Sequence, residues 1–111
     1  MKEVRPREVR GYVAPDGREP FERWLQGLSD TKVRGRVKAR IDKLEDGNFG
    51  DSKSLGGGLW ELRLDFNGGY RIYVGEVDRI VVLLICGGNK RTQERDMKKA
   101  KESWEEFRKR K

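Results

Sequence analysis

Three observations in the sequence predict an α+β domain. Apolar residues recur at helical spacing between Pro20 and Leu44, the period falls to two from Leu59, and Met97, Ala100, Trp104 and Phe107 restore a helical stripe near the end. The implied order is an N-terminal strand, a helical hairpin, an antiparallel β-sheet meander and a C-terminal helix. Residues 2–13 offer Val4, Val9, Tyr12 and Val13 to a strand, with Pro6 placing it near an edge or its own start. Ala14-Pro15-Asp16-Gly17 is turn chemistry. Pro20 suits the first position of a short helix carrying Phe21, Trp24, Leu25 and Leu28. Ser29 or Asp30 can cap a second helix whose Val33, Val37, Ile41 and Leu44 form one stripe, and Gly47 is its expected stop. Lys32, Arg34, Arg36, Lys38, Arg40 and Lys43 cover the rest of that helix.

Gly50 to Gly58 reads as a glycine-rich loop containing Lys53, without the spacing of a phosphate-binding P-loop. The next strand puts Trp60, Leu62, Leu64 and Phe66 on one face and Glu61, Arg63 and Asp65 on the other. Asn67-Gly68-Gly69 turns the chain, because Asn and Gly tolerate positive φ. Tyr70, Ile72 and Val74 then oppose Arg71 and Tyr73, and Glu76 to Arg79 make a second tight connection. Ile80 to Cys86 is apolar throughout, as expected of a central strand covered on both faces. Gly87-Gly88-Asn89 is expected to end it, and Thr92 to cap a basic last helix over about residues 92–110.

Composition bounds the chemistry. The 111 residues make room for one domain, read as spanning 1–111, and 34% hydrophobic against 41% charged residues implies a small core under a densely ionic surface. Lys and Arg outnumber Asp and Glu by 26 to 19, and there is no histidine. That excludes the Ser-His-Asp and Cys-His nucleophile systems and the common zinc-ligand sets, so no metal and no cofactor is expected. One cysteine cannot form an internal disulfide, and no run reaches the length of a membrane span or a signal-peptide core. A cytoplasmic protein without a membrane partner is expected. Lys98 to Lys111 holds seven basic residues against three acidic ones, suiting an anionic partner, although i,i+4 pairs such as Glu106–Arg110 equally suit a solvated helix end.

The two strands joined at Asn67 should pair, projecting Glu61, Arg63, Arg71 and Tyr73 from one side, with Lys90-Arg91 at the end of the neighbouring strand. Arginines there suit a phosphodiester whose charge grows during strand cleavage, with a proton acceptor at the rim. Cross-strand ion pairs on a wet sheet face would explain the same residues. By pattern, Tyr73 and Asp96 are exposed, Cys86 is a small core residue, and Trp24, Trp60 and Trp104 belong to apolar faces.

Gly47-Asn48-Phe49-Gly50-Asp51, Leu55-Gly56-Gly57-Gly58-Leu59-Trp60-Glu61-Leu62-Arg63, Gly69-Tyr70-Arg71-Ile72-Tyr73 and Leu83 to Gln93, with Asp96 and Ala100, resemble the RelE/ParE toxin superfamily, nearest its phage-derived, HigB-like addiction-module killer proteins. The likeness runs from the first helix to about Trp104. It implies the toxin of a type II toxin–antitoxin system: a ribosome-dependent messenger-RNA endoribonuclease, neutralised by a helix-turn-helix antitoxin through which alone operator DNA is bound. Arg63, Arg71 and Lys90-Arg91 match positions where RelE-like nucleases place basic catalytic residues, and Lys53 matches an RNA-contacting loop. Glu61 stands where RelE has a lysine, and no tyrosine follows Arg91 where RelE has one. The residues then divide into a catalytic set, Glu61, Arg63, Arg71, Lys90 and Tyr73, and an RNA-binding set, Lys53, Arg91 and Lys98. Glu61 is the candidate base, with Lys53 or Lys90 competing, and Tyr73 or Lys90 the candidate acid. A non-enzymatic ParE-like DNA gyrase poison and an inactive RNA-binding module are the alternative readings.

Overall fold

The computed structural model describes residues 6–110. The elements are β1 (Glu8–Gly11), α1 (Pro20–Gln26), α2 (Thr31–Glu45), β2 (Ser52–Gly56), β3 (Leu59–Leu64), β4 (Tyr70–Val77), β5 (Val81–Asn89), a 3₁₀ turn (Lys90–Thr92) and α3 (Gln93–Arg108). The α+β fold is as expected. The strands form a single five-stranded sheet in the order β1-β5-β4-β3-β2. β2 to β5 are antiparallel neighbours, whereas β1 lies parallel to β5, with Glu8 beside Val81 and Gly11 beside Leu84. The expected start of the first strand at residues 2–5 lies outside the described residues.

Local chemistry sets the boundaries. Pro20 opens α1, where a missing N–H costs nothing, and the Asp30 side chain caps α2 by accepting from the Lys32 N–H at 2.9 Å. Gly47, at φ +82°, follows α2 in the left-handed conformation that ends helices. Asn67, Gly68 and Gly69 all take positive φ in the β3–β4 turn. Asp78 and Arg79, at φ +51° and +58°, do the same between β4 and β5, without glycine.

The sheet is covered on both faces. α1 and α2 bury Phe21, Leu25, Val33, Val37 and Leu44 against Leu62, Leu64, Ile72, Val74, Val82 and Leu84. On the other face α3 places Ala100 and Trp104 over Leu59, Tyr73, Leu83 and Ile85. β5 is thus the doubly buried strand its apolar run implied. A bulge opposite Tyr73–Val74 lets the β5 alternation slip by one residue.

Four local expectations are corrected. The Lys53 segment is not a loop but an edge strand, pairing Lys53 with Glu61 and Ser52 with Leu62. Gly87-Gly88-Asn89 continues β5 rather than ending it, because only glycine permits the close packing found there: a Cβ on Gly87 would lie 2.3 Å from the Trp24 ring. Thr92 stands at the N-cap of α3, but its side chain makes no cap hydrogen bond and turns its hydroxyl to Asp96; the side-chain cap belongs to Asn89, which opens the preceding 3₁₀ turn by accepting from the Arg91 N–H at 2.8 Å. Finally, the face bearing Glu61 and Tyr73 is not a wet one. α3 lies across it.

Candidate functional site

Strand pairing builds the site. Arg63 stands directly opposite Arg71, Glu61 opposite Tyr73, and Lys53 opposite Glu61 on the β2 side. Residues two apart on a strand share a face, so these five side chains form two adjacent rows beneath the N-terminal end of α3. The rows differ sharply in environment. Glu61 and Tyr73 are each 0% exposed, so the carboxylate expected at the rim and the phenol expected in solvent are both buried. Arg63 and Arg71 are half-buried, and Lys53, Lys90 and Arg91 are exposed.

Glu61 is the hub. The Tyr73 hydroxyl donates to its Oε2 at 3.1 Å, and the Gln93 side-chain amide donates to the same oxygen at 2.9 Å. Its Oε1 lies 3.5 Å from Arg63 Nε in an ion pair and accepts no hydrogen bond, although buried. Arg71 Nε is likewise buried without a partner, its NH1 donating to the Tyr70 carbonyl at 3.0 Å. A buried acceptor and a buried donor left open on neighbouring rows are costly unless something completes them. Tyr73 is held protonated: burial first, then the Glu61 charge beside it, push its pKa well up. Its hydroxyl proton points at Glu61, and the phenol does not face solvent.

Three further groups, none of them placed in the candidate site by the sequence, shape it. Gln93 ties α3 to Glu61. Arg40, from α2, donates to the carbonyls of Phe49 (3.0 Å), Asp51 (2.6 Å) and Arg63 (2.6 Å), fastening the end of β3 that carries Arg63. Burial lowers the pKa of this guanidinium. Asp96, which the pattern placed in solvent, is 8% exposed, accepts from the Thr92 hydroxyl and rests on the Cα of Gly88, where a Cβ would lie 1.8 Å from its Oδ2. The Thr92–Asp96 spacing of one helical turn was the only trace of this contact in the sequence.

Lys90 and Arg91 line a depression of about 520 Å³ with Thr92, Gln93, Glu94 and Arg95. Lys90 meets Arg71 at Gly69, whose carbonyl accepts the Lys90 N–H at 3.3 Å; a Cβ on Gly69 would lie 3.4 Å from Arg71 NH1. Lys98 is not part of this cluster and faces solvent on α3. Cys86, half-buried beside Tyr73 in register, has its thiol pushed up to about 12, chiefly by burial, which disfavours the thiolate. Trp104 is buried, with Trp24 and Trp60 packed at the edge of the other core. Among the described residues no group of His, Cys, Asp and Glu is arranged to hold a metal ion, and no helix is long and apolar enough to cross a membrane.

Comparison with known proteins gives consistent findings. A family model for phage-derived Gp49-like proteins (DUF891) matches residues 23–105, from α1 through most of α3. An uncharacterized protein of Haemophilus influenzae is 44% identical over 81 residues, covering 73% of this chain and 82% of its own. Among solved structures, a chain of the toxin–antitoxin complex RelBE2 of Mycobacterium tuberculosis matches with a TM-score of 0.59 at 18% identity, over 81% of this chain and 98% of that one. At that identity the likeness speaks to fold. The α+β sheet, its flanking helices and the family match agree, and the chain belongs to the phage-derived Gp49-like family, with a RelE-like fold.

Proposed function

We propose that this protein is the toxin of a type II toxin–antitoxin system, HigB-like in kind, and that it cleaves messenger RNA on the ribosome. The observation that carries this reading is the Arg63–Arg71 pair standing over a buried carboxylate with one open oxygen. Two guanidiniums facing each other across a strand pair grip the non-bridging oxygens of one phosphodiester and counter the charge that builds on them. The 2′-hydroxyl next to that phosphate gives its proton to Glu61 Oε1 as its oxygen attacks phosphorus. The P–O5′ bond breaks, leaving a 2′,3′-cyclic phosphate and a 5′-hydroxyl end, and no metal takes part. Arg63, 39% exposed at its side chain, is the ion-pair partner of Oε1, and its displacement opens the carboxylate to the hydroxyl. Lys90, exposed beside Arg71, donates the proton to the leaving 5′-oxygen. Lys53 and Arg91 flank the strand, and Lys98 adds attraction from further along α3. The fold match to a chain of a toxin–antitoxin complex supports an antitoxin as partner, and a small helix-turn-helix protein is the kind proposed, linking the toxin to operator DNA.

Controlled expression in a bacterium, with transcripts mapped by primer extension, tests this. The expected result is growth arrest with new 5′ ends in translated frames, abolished by Arg71→Ala in a protein that still folds. Arrest with intact transcripts and damaged DNA would overturn it in favour of a gyrase poison.

A further inference from the structure

The two oxygens of the Glu61 carboxylate are not equivalent. Oε2 accepts from the Tyr73 hydroxyl at 3.1 Å and from the Gln93 side-chain amide at 2.9 Å. A carboxylate oxygen has two lone pairs, so these two donors fill Oε2. Oε1 accepts no hydrogen bond and keeps its lone pairs on the side of Arg63, whose Nε lies 3.5 Å away. Tyr73 comes from the same sheet as Glu61 and is paired with it across the strands. Gln93 comes from α3, so one of the two donors on Oε2 is supplied by a helix and not by the sheet.

Gln93 is itself held in place. It is the first residue of α3, directly after the Lys90–Thr92 turn. The Asn89 side chain accepts from the N–H groups of Arg91 and Thr92, at 2.8 and 3.2 Å. The Thr92 hydroxyl donates to Asp96, and the Lys90 N–H donates to the Gly69 carbonyl. The backbone leading into Gln93 is thus tied down, and its side chain bridges from there to the sheet. The chemistry of this donor also matters. An amide donates without carrying a charge, so it fixes the carboxylate and leaves its full charge to draw a proton. An arginine or lysine in the same place would offset that charge.

We propose that Gln93 is a positioning residue of the cleavage reaction: by filling Oε2 it turns Oε1 to the 2′-hydroxyl and makes it the atom that takes the proton. The proposal rests on the reading of this site as an RNA-cleaving one with Glu61 as its base. Without Gln93 a lone pair of Oε2 stands empty. The terminal torsion of a glutamate is broad and two-fold, so either oxygen can then turn to the Arg63–Arg71 row. Loss of the donor slows proton transfer and leaves RNA binding alone, because the phosphate is held by the arginines and the Gln93 amide is spent on Glu61. A purely structural role has a different signature. A donor that only satisfied a buried acceptor would matter to the fold, and its loss would act equally whether or not Glu61 were the base.

The test is single-turnover cleavage of messenger RNA on ribosomes by the full chain, unaltered and as Gln93→Met, Glu61→Gln and the double variant. Methionine keeps the reach of glutamine without a donor. Gln93→Met should cut about tenfold more slowly or worse, with binding to the programmed ribosome changed by less than about twofold. In the Glu61→Gln background the same change should slow cleavage by less than about twofold further, since its effect passes through Glu61. Gln93→Glu gives a second readout. Neighbouring carboxyls share one proton, and the singly protonated pair restores a donor to Oε2. Cleavage by this variant should pass through a maximum and fall as rising pH removes the shared proton, an alkaline limb that Gln93→Met lacks. Lys53 on β2, Arg63 on β3, Arg71 and Tyr73 on β4, Cys86 on β5 and Asp96 on α3 surround the pair in every variant, so the added limb belongs to the introduced carboxyl. If Gln93→Met fails to fold, Gln93→Glu, which keeps the side-chain shape, decides. The proposal is overturned if Gln93→Met cuts at the unaltered rate, if its effect is as large without Glu61 as with it, or if Gln93→Glu lacks the alkaline limb. Those outcomes leave the cleavage reading standing, whereas an unaltered protein that cuts no RNA removes that reading and this proposal with it.

Discussion

In the proposed reaction Glu61 and Tyr73 concentrate the chemistry in two side chains that touch no solvent. Their pairing predicts a graded result. Tyr73→Phe keeps the ring in the α3 core and removes one hydrogen bond, so folding stability should fall by only about 1 kcal/mol. Cleavage should drop roughly tenfold, because the carboxylate loses an orienting donor. Glu61→Gln should cost more, about a hundredfold or beyond in single-turnover cleavage of a bound RNA, since the proton acceptor itself is gone. Equal losses in the two variants would show that Glu61 only positions Arg63. Gly35 gives a prediction of opposite sign: Gly35→Ala should raise stability in urea unfolding by about 0.5 to 1 kcal/mol, as no neighbour opposes the added methyl. These residues also mark what could be read in advance. Alternation placed Glu61, Arg63, Arg71 and Tyr73 on one face correctly, because a period of two fixes sides. It could not say which side is covered, since that depends on where a helix thirty residues later comes to rest.

Among the elements, β2 was invisible for a physical reason. Ser52-Lys53-Ser54-Leu55-Gly56 has almost no β-formers and is flanked by glycines, so nothing local argues for a strand; pairing to β3 and the Arg40 clamp make it one. Arg40→Met should therefore cost about 2 to 3 kcal/mol, the scale of hydrogen bonds made by a charged donor. Amide exchange should rise first at Asp51 and Arg63, whose carbonyls it holds. The turns show the reverse contrast. Asn67-Gly68-Gly69 announced its positive φ by residue type, whereas Asp78-Arg79 adopts the same left-handed geometry with residues that resist it. Replacing that pair by Asn-Gly should stabilise the fold by about 1 kcal/mol, measured as a raised midpoint of thermal unfolding. Helix α2, by contrast, was legible almost to the residue, because its apolar stripe, its Asp30 cap and its Gly47 stop all agree.

For the whole molecule, two cores share one sheet, and groups buried between α3 and the sheet tie stability to pH. Cys86 rises from an ordinary value of 9.0 to about 12, and Tyr73 moves in the same direction. Both folded pKa values lie above the unfolded ones, and both groups are neutral when protonated. The unfolded chain therefore sheds these protons first, and stability declines as pH rises from about 9 towards 12. A single group can contribute a slope of at most about 1.4 kcal/mol per pH unit. Cys86→Ala should flatten the first part of this decline in urea titrations and leave stability near neutral pH within its ordinary packing cost.

The parallel seam between β1 and β5 has a consequence for timing. Every other strand pair joins neighbours in sequence and can zip from a turn, but Glu8 must wait for Val81. Synthesis delivers β1 long before its partner, so the hairpins can form on a chain still emerging while the first strand has nowhere to dock. The sheet is sealed only when β5 arrives, and α3, which roofs Glu61 and Tyr73, comes after that. Of the described elements, the one that roofs the carboxylate hub is thus the last to be delivered. If the proposed action on the translation machinery holds, the site would close only after that machinery has delivered α3.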